Sequence, residues 1–316
     1  MKVIDLINSS KSTAFSFEIL PPLKGNSIQK VYNVIDKLIE FDPKYINITS
    51  HHSEYIYKTL PDGSFQKVNI RKRPGSVAIA SAIQNKYGIT AVPHIICKGF
   101  TKDETEYALI DLNFLGVYDL LLLRGDVKTL EAGQKTDIYH EHATDLQQQV
   151  NDFNKGIAID GSVFEANETP FSYGMACYPE KHEEAPNMES DIFYLKEKVK
   201  NGADYLVTQM FFDNEKYYAF VDRCRAEGIT VPIIPGIKPI VFKNQLTVLP
   251  KIFRSDIPEP FATELRKCKN DDEVKAVGVE WCIQQCKDLI AHGVPSLHFY
   301  TMMASDSVYK VAKEVY

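Results

Sequence analysis

Six short polar motifs occur in a fixed order along the chain, each directly after an apolar segment. They are Ser16-Phe17-Glu18-Ile19-Leu20-Pro21-Pro22, Leu123-Arg124-Gly125-Asp126, Ala176-Cys177-Tyr178-Pro179-Glu180-Lys181-His182, Thr208-Gln209-Met210-Phe211-Phe212-Asp213, Pro235-Gly236-Ile237-Lys238-Pro239 and His298-Phe299-Tyr300-Thr301. Acidic, amide and ring side chains at the ends of successive strands build one pocket when the strands form a barrel. The sequence therefore predicts one site made from many segments.

Glu18 is the first candidate catalytic group. It stands between two apolar residues of the first strand, shortly before the rigid Pro21-Pro22 turn. Loss of hydration at an apolar strand end raises the pKa of a carboxyl group, which can then stay protonated and act as an acid. A solvated glutamate at the strand end is the alternative. The Pro-Pro turn favours the acid role because it fixes the direction of the carboxyl group.

The Arg124-Gly125-Asp126 segment ends a run of four leucines, which is typical of a buried strand. Arg124 can pair with a phosphate or carboxylate, and Gly125 allows the backbone to approach a ligand closely. Asp126 can stabilise a cation that develops beside it. A local salt bridge between Arg124 and Asp126 on a turn is the alternative.

Further candidates follow the fifth and sixth strands. The ring of Tyr178 can stack on a planar ligand, and His182 can donate to an anion or a ring nitrogen. The amide of Gln209 suits the edge of a lactam-like heterocycle because it both donates and accepts. Asp191 and Lys198 are seven residues apart and share a helix face, for which a solvated helix surface is the alternative.

The histidines do not predict a metal site. His94 lies inside an apolar strand, where a hydrogen-bonded core histidine is the default interpretation. The pairs His51-His52 and His140-x-His142 have no third ligand at a fixed offset, so we do not expect zinc. The six cysteines form no C-x-x-C pair, which favours reduced, mostly buried thiols over a disulfide or metal framework.

The composition excludes several classes of protein. The chain has 316 residues, is 44% hydrophobic and 25% charged, and carries a net charge of −6. This balance argues against a general nucleic-acid or anionic-membrane surface. No leader segment or membrane span is evident, so we expect a soluble, cytoplasmic protein. The Rossmann, P-loop, hydrolase-elbow and zincin motifs do not occur, so any dinucleotide would bind at the barrel mouth.

Hydrophobic periodicity predicts eight strands that alternate with helices. The strands are expected near residues 14–19, 45–49, 89–96, 118–123, 171–177, 204–210, 232–235 and 296–300. The pattern predicts an α/β fold, a single (β/α)8 TIM barrel over residues 1–316 with an N-terminal extension and rim loops. An open doubly wound sheet is the alternative, because strand order is not visible in a sequence.

The long connections are expected to be loops at the barrel rim. They span residues 50–73, 127–138 and 154–170, and the last contains an Asp160-Gly161 hairpin signal. A capping box is expected at 101–104, where Thr101 precedes a helix and Glu104 follows three residues later.

The six motifs, in this order, resemble those of the methylenetetrahydrofolate reductase family over about residues 14–303. The resemblance implies the catalytic barrel of this family at bacterial-type length, without a C-terminal regulatory domain. It implies FAD at the top of the barrel and NADH or NADPH as the electron donor. The reaction would reduce 5,10-methylenetetrahydrofolate to 5-methyltetrahydrofolate, by ping-pong kinetics, in one-carbon metabolism and methionine biosynthesis.

The resemblance also implies roles for individual residues. Glu18 would be the general acid that protonates the folate nitrogen, and Asp126 would lie near both the flavin and the reacting pterin. Substrate contacts would come from Glu18, Asp126, Gln209, Gln245 and Tyr300, with Gln209 also meeting the nicotinamide. FAD contacts would come from Thr49, His94, Leu123, Arg124, Gly125, Asp126, His142, Ala143, Tyr178, His182, Ala185, Asp191 and Lys198.

The chain departs from the family pattern at five positions. His142 stands where a tyrosine is frequent, Leu249 where an aromatic residue often packs on the nicotinamide cofactor, and Ala304 where a basic residue is frequent near the folate. Tyr194 and Glu197 replace the usual asparagine and basic residue beside the FAD phosphates. These departures bear on the electron donor more than on the folate chemistry.

Three other functions are compatible with the same pattern. They are a flavin-free pterin-binding barrel methyltransferase, a catalytically silent barrel that binds folate, and a related flavin barrel that oxidises a small amine or imino acid. Intact Glu18, Asp126 and Gln209 argue against the silent barrel, because charged groups are costly to keep in an apolar mouth. The choice between NADH and NADPH, the polyglutamate preference, the direction of the reaction and self-association into a homo-oligomer stay open.

Overall fold

The structure is a computed structural model that describes residues 1–51, 54–125, 138–302 and 305–316. Parallel strands and helices alternate along it. The strands are β1 (Ala14–Ile19), β2 (Tyr45–Ile48), β3 (Glu54–Thr59), β4 (Phe65–Ile70), β5 (Thr90–Ile96), β6 (Asp119–Leu123), β7 (Ser172–Cys177), β8 (Tyr205–Thr208), β9 (Ile233–Ile234), β10 (Gly236–Ile237) and β11 (Ser296–Tyr300).

Nine of these strands form one parallel sheet in the order β10-β11-β1-β2-β5-β6-β7-β8-β9. Pro235 alone separates β9 from β10, because proline cannot donate to the ladder. The two short strands are therefore halves of one interrupted strand. Because β10 lies at one edge of the sheet and β9 at the other, this strand joins the two edges. The result is a nearly closed eight-stranded barrel, which confirms the (β/α)8 prediction over an open sheet.

Helices cover the outside of the barrel. They are α1 (Val3–Ser9), α2 (Gln29–Leu38), α3 (Ser76–Tyr87), α4 (Lys102–Phe114), α5 (Ala143–Asn154), α6 (Met188–Lys200), α7 (Asn214–Ala226), α8 (Gln245–Phe253), α9 (Glu259–Lys267), α10 (Asp271–Ala291) and α11 (Ser305–Val315). The predicted capping box of α4 is confirmed, because Thr101 Oγ1 accepts from Glu104 N and Thr101 N donates to Glu104 Oε2. None of the helices in the described ranges combines the length and hydropathy needed to cross a bilayer.

The core has two layers, and the layer around the barrel axis contains polar as well as apolar side chains. The layer between sheet and helices is apolar and includes Phe15, Phe17 and Ile19 of β1. Residues of the other strand face alternate with these and lie around the barrel axis, where polar Ser16 and Glu18 are buried. The barrel axis is thus unusually rich in polar side chains near its carboxyl end.

Helix α1 is the predicted N-terminal extension, and it lies at the amino end of the barrel. Val3 and Ile7 pack in one cluster with Tyr45 and Tyr205 from the barrel axis. The Val3 amide donates to Asp119 Oδ1 at 2.8 Å. Burial raises the pKa of Asp119 to about 6, against the lowering effect of this hydrogen bond. The opposite end of the barrel, where the strands end, is therefore the open one.

Several elements differ from the expectation. The connection 50–73 is not a plain loop, since β3 and β4 form an antiparallel hairpin within it. The Asp160-Gly161 turn connects two short segments, which pair through a single antiparallel bridge between Ile157 and Val163. This segment follows α5 and precedes β7, so it lies at the amino end of the barrel. Most of the connection 127–138 lies outside the described residues.

The six cysteines are free and buried, as expected for structural thiols. Burial raises the pKa of Cys97 to about 12 and that of Cys177 well above its usual value. These thiols stay protonated and unreactive at neutral pH.

Candidate active site

Adjacent strands bring four predicted or newly seen polar positions to one level at the carboxyl end of the barrel. Glu18 pairs in register with Tyr300 on one side and with Asn47 on the other. Ile237 pairs with Phe299, so Lys238 stands one residue further, at the level of Tyr300. Polar side chains from four neighbouring strands therefore meet at the mouth.

The structure brings Glu18 and His94 together. Glu18 is 9% exposed and His94 is 4% exposed. His94 Nε2 lies 3.8 Å from Glu18 Oε2, which is too long for a direct hydrogen bond. Burial, together with a smaller effect of the nearby His298, lowers the pKa of His94 to about 3. His94 is therefore neutral, and its buried Nε2 has no hydrogen-bond partner within the described ranges.

Tyr300 is held by a main-chain carbonyl group at the end of β8. Its hydroxyl donates to the Thr208 carbonyl oxygen at 2.6 Å. Gly236 makes this contact possible, since a Cβ there would lie 2.3 Å from that oxygen and 2.7 Å from the Tyr300 hydroxyl. Burial raises the pKa of Tyr300 well above its usual value, and the charge of Glu18 acts in the same direction. The ring of Tyr300 is thus a fixed, neutral wall of the mouth.

The two candidate glutamines each bind the local backbone through their side-chain carbonyl oxygen. Gln209 is half-buried, and its Oε1 accepts from the Met210 amide at 2.9 Å. Gln245 begins α8, and its Oε1 accepts from the amides of Val241 and Phe242 at 2.7 and 3.0 Å. Both side chains therefore keep an NH2 group to offer a ligand, while their carbonyl oxygens order the local backbone.

A cluster of cations lies on the other side of the mouth, at the ends of β5, β6 and β7. Arg124 forms an ion pair with Glu184, and its buried Nε has no hydrogen-bond partner in the described segments. Lys198 Nζ donates to the Ala176 carbonyl oxygen at 3.0 Å. Desolvation lowers the pKa of Lys198, and it lowers that of Lys98 together with the charge of Arg124. A bound anion would stabilise the charged forms of these lysines, which desolvation and the charge of Arg124 disfavour.

His182 joins this cluster. Its amide donates to Asp191 Oδ2 at 2.8 Å, and its ring makes an edge contact with Tyr178 at a centroid distance of 4.7 Å. Burial lowers the pKa of His182, and Asp191 opposes that effect. Asp191 therefore has a positioning role for the loop, which the solvated-surface alternative did not foresee.

The remaining predicted cofactor residues surround this region. Gly125 has φ of +84°, a conformation that side-chain-bearing residues rarely adopt, and a Cβ there would lie 3.4 Å from Ile96 Cβ. Leu123 ends β6, while His142 caps α5 through its amide to Asp145 Oδ2 and Ala143 begins that helix. Thr49 Oγ1 lies 3.3 Å from His51 Nε2, and Ala185 N donates to the His182 carbonyl oxygen.

Two predicted positions cannot be placed. Asp126, the second candidate catalytic residue, lies outside the described residues, directly after Gly125. Ala304, one of the departures, lies outside them as well. Among the residues described, no group of three or more His, Cys, Asp or Glu side chains is arranged to hold a metal ion.

Three residues at the mouth or just below it were not assigned from the sequence. Lys238 is 6% exposed although it is a lysine, and Asn47 is fully buried with both amide atoms lacking partners in the described part of the chain. His298 lies below Tyr300, with its Nδ1 3.0 Å from Ser16 Oγ. The available signal was the alternation of polar and apolar residues along β1, β2 and β11, which marks polar side chains directed at the barrel axis.

A groove outside the barrel does not belong to this site. Its volume is about 830 Å³, and it runs between α2, α10 and α11, where Lys37, Lys275, Lys287, Asp306 and Lys310 line it. No strand ends there. The candidate chemistry is therefore confined to the barrel mouth.

Comparison with known proteins places the chain in a family. The family model described as methylenetetrahydrofolate reductase matches residues 2–316. A probable methylenetetrahydrofolate reductase (NADPH) from Caenorhabditis elegans is 30% identical over 99% of this chain and 43% of its own length. Methylenetetrahydrofolate reductase (NADH) 1 from Arabidopsis thaliana is 30% identical over 97% of this chain and 49% of its own length. The chain thus spans about half the length of these relatives.

A bacterial relative and a solved structure match over more of their length. The 5,10-methylenetetrahydrofolate reductase of Escherichia coli is 30% identical over 94% of this chain and 88% of its own length. An uncharacterized protein from Clostridium thermocellum, described as binding two copies of 5-methyl-5,6,7,8-tetrahydrofolic acid, superposes with a TM-score of 0.55 at 15% identity, over 98% of this chain and 97% of that one. That likeness shows the fold alone. The match of the family model over nearly the whole length, on a barrel with polar strand ends, shows that this chain belongs to the methylenetetrahydrofolate reductase family.

Proposed function

We propose that this protein reduces 5,10-methylenetetrahydrofolate to 5-methyltetrahydrofolate, with FAD as its bound cofactor and NADH or NADPH as electron donor. The observation that carries the proposal is the burial of Glu18 beside neutral His94 at the mouth of a barrel of this family. We treat residues 1–316 as one catalytic domain.

The residues at the ends of β6 and β7 fit FAD. A dinucleotide brings negatively charged phosphates. Desolvation disfavours the charge of Lys198, and Lys98 and Arg124 repel each other, so an anion here would be favoured. Gly125 next to Arg124 has a positive φ and no side chain to keep a ligand from its backbone. The ring of Tyr178, in a T-shaped contact with His182, can offer a flat face to a ring system. When bound, FAD supplies the hydride-carrying chemistry between the two substrates.

Thirteen residues are proposed to contact FAD, either through these charges or by lining the strand ends. They are Thr49, His94, Leu123, Arg124, Gly125, Asp126, His142, Ala143, Tyr178, His182, Ala185, Asp191 and Lys198.

Glu18 is proposed to donate the proton that opens the five-membered ring of the substrate. The proton moves from the Glu18 carboxyl group to the folate nitrogen, the carbon–nitrogen bond breaks, and an electrophilic iminium results. A buried position keeps water from competing for this proton. A positively charged His94 would favour the ionised form of Glu18. Because His94 is neutral, the Glu18 carboxyl group can keep its proton until the substrate takes it. Asp126 is proposed to favour the cation that forms.

Gln209, Gln245 and Tyr300 are proposed to orient the pterin. The free NH2 groups of the two glutamines can donate to pterin oxygen and nitrogen atoms, and their ordered carbonyl oxygens hold them in place. The fixed ring of Tyr300 limits the depth to which a substrate enters. Because one mouth serves both nicotinamide and folate, the two bind in turn, which is the basis of ping-pong kinetics.

The test is the visible absorption spectrum of the purified protein. We expect a yellow flavin spectrum that bleaches with NADH or NADPH under anaerobic conditions and returns on addition of 5,10-methylenetetrahydrofolate, with 5-methyltetrahydrofolate as product. A colourless protein that does not bind added FAD would contradict the proposal and would favour the flavin-free methyltransferase. Bleaching without return of colour on folate addition would favour the flavin barrel that oxidises a small amine or imino acid.

A further inference from the structure

We propose that Lys238 is a positioning residue that acts through Glu18: its ammonium group stabilises the carboxylate that Glu18 becomes after it has given its proton to the substrate. The inference deepens the proposed function and rests on it. It concerns a residue that follows β10 and that the sequence motif alone did not mark as functional.

The placement of Lys238 carries the proposal. Lysine is among the residues least often buried, yet Lys238 is 6% exposed. The register sets Lys238 beside Tyr300, and Tyr300 beside Glu18, along three adjacent strands. The ion pairs of the described residues do not include one between Lys238 and Glu18 within 4.0 Å. The ammonium group therefore acts on the carboxylate through space, across the level of Tyr300.

Several other described groups near Glu18 carry no positive charge at neutral pH. Burial holds His94 and His298 neutral, with pKa values of about 3. Tyr300 keeps its proton because burial raises its pKa, and Asn47 on the other side of Glu18 does not titrate. His51 lies near His94 at the exposed rim, and Asp126 lies outside the described residues. Burial lowers the pKa of Lys238, and the charge of Glu18 opposes this, so the two groups sense each other.

Glu18 and Lys238 thus have separate roles at the mouth: Glu18 donates the proton, and Lys238 stabilises the carboxylate that remains. A buried carboxylate without a nearby cation is costly, so proton donation from Glu18 would be resisted. A tight ion pair would keep Glu18 ionised at all times. An ammonium group at a greater distance offsets only part of the cost of the buried carboxylate, so Glu18 can still be protonated. Lys238 thereby sets how readily Glu18 releases its proton.

The test is a titration of Glu18 in the resting protein by NMR of glutamate labelled with ¹³C at the side-chain carboxyl group. The Glu18→Gln spectrum identifies the Glu18 signal. We expect Lys238→Met and Lys238→Gln to raise the titration midpoint of Glu18 by about one pH unit, the lower end of the effect of a nearby opposite charge. We expect Lys238→Arg to leave the midpoint near that of the parent. Having two charge-free variants keeps the test usable if one of them does not fold.

Lys251→Met is the matched control, because it removes the same charge from an exposed position on α8. It should leave the Glu18 midpoint unchanged. In single turnovers with 5,10-methylenetetrahydrofolate, the pH profile of Lys238→Met should shift by the same amount as the NMR midpoint, with the substrate Kd within twofold of the parent. An unchanged midpoint together with a tenfold higher Kd would overturn the inference and make Lys238 a substrate contact. The NMR titration needs no substrate, so failure of the proposed reaction is seen separately.

Discussion

His94 Nε2 lies 3.8 Å from Glu18 Oε2, and both side chains are buried at the carboxyl end of the barrel. Since burial lowers the pKa of His94 to about 3, the pair is not an ion pair at neutral pH. A neutral imidazole leaves the carboxyl group free to hold or release a proton according to its other neighbours. The chemistry of the mouth therefore centres on Glu18.

Replacing Glu18 by glutamine separates the two half-reactions. Glu18→Gln keeps the size and polarity of the side chain but removes the proton donor. We expect flavin reduction by NADH or NADPH to proceed within about threefold of the parent rate. Oxidation by 5,10-methylenetetrahydrofolate should fall by a factor of about 10² to 10⁴, the usual contribution of general acid catalysis. Anaerobic stopped-flow absorbance measures both steps.

Asp213→Asn is a control for loss of a carboxylate near the barrel. Asp213 caps α7 through its side chain to the Glu215 amide, and asparagine caps helices equally well. Both half-reactions should keep the parent rates in this variant. A parallel fall of both half-reactions in Glu18→Gln would remove the acid role from Glu18.

His298 should make the fold sensitive to acid. Burial lowers its pKa to about 3, whereas an unfolded histidine titrates near pH 6.5. Between these values the unfolded chain binds a proton that the folded chain does not. The stabilisation is therefore present above about pH 6.5 and is lost as the pH falls, by up to about 1.4 kcal/mol per pH unit.

The variant His298→Gln removes one such proton site. Urea unfolding at pH 7 and pH 5 should show that the variant loses less free energy of unfolding over this interval than the parent does. Exposed His292→Gln should lose as much as the parent. If His298→Gln also shows the full loss, the neutral, buried state assigned to His298 is wrong.

The fold was largely predictable because its signals are local. The strands Ala14–Ile19 and Ser296–Tyr300 were predicted with the observed bounds. Each is bounded by turn or capping residues that stop the element at a definite place. The hairpin β3–β4 was missed because it lies on the surface, where even Ile56, Tyr57 and Phe65 are exposed, so it lacks the buried apolar run that marks the barrel strands.

Most residues of the site could be predicted from the sequence, but their distances, burial and protonation could not. Glu18 and His94 were both selected, yet nothing in the sequence gives their separation or the neutrality of the imidazole. Lys238 was missed because a lone lysine in a Pro-Gly motif gives no sign of burial. Burial depends on the register of β10, β11 and β1, which is set by contacts distant in sequence. Local patterns therefore found the strand ends, whereas the electrostatics needed the closed barrel.

Gly236 should be intolerant of any side chain. A Cβ at this position would lie 2.3 Å from the Thr208 carbonyl oxygen and 2.5 Å from the Tyr300 ring. Gly236→Ala should displace Tyr300, break its hydrogen bond to Thr208 and cost about 1–3 kcal/mol in the free energy of unfolding. Gly75→Ala is the control, because its Cβ would meet only the end of the flexible Arg71 side chain. Equal stabilities of the two variants in urea would show that Tyr300 is not wedged as described.

Lys198 should matter for the cofactor and little for the fold. Its Nζ donates to the Ala176 carbonyl oxygen at 3.0 Å, and desolvation lowers its pKa, so an anion nearby would relieve the cost of its charge. Lys198→Met should raise the Kd for FAD about tenfold or more, as expected for loss of a hydrogen bond to a charged group. Lys200→Met is the matched control, since Lys200 is exposed two residues further along α6 and lies 3.8 Å from Glu197. Fluorescence titration of the flavin-free protein measures both, and similar Kd values for the two variants would place the phosphates elsewhere at the mouth.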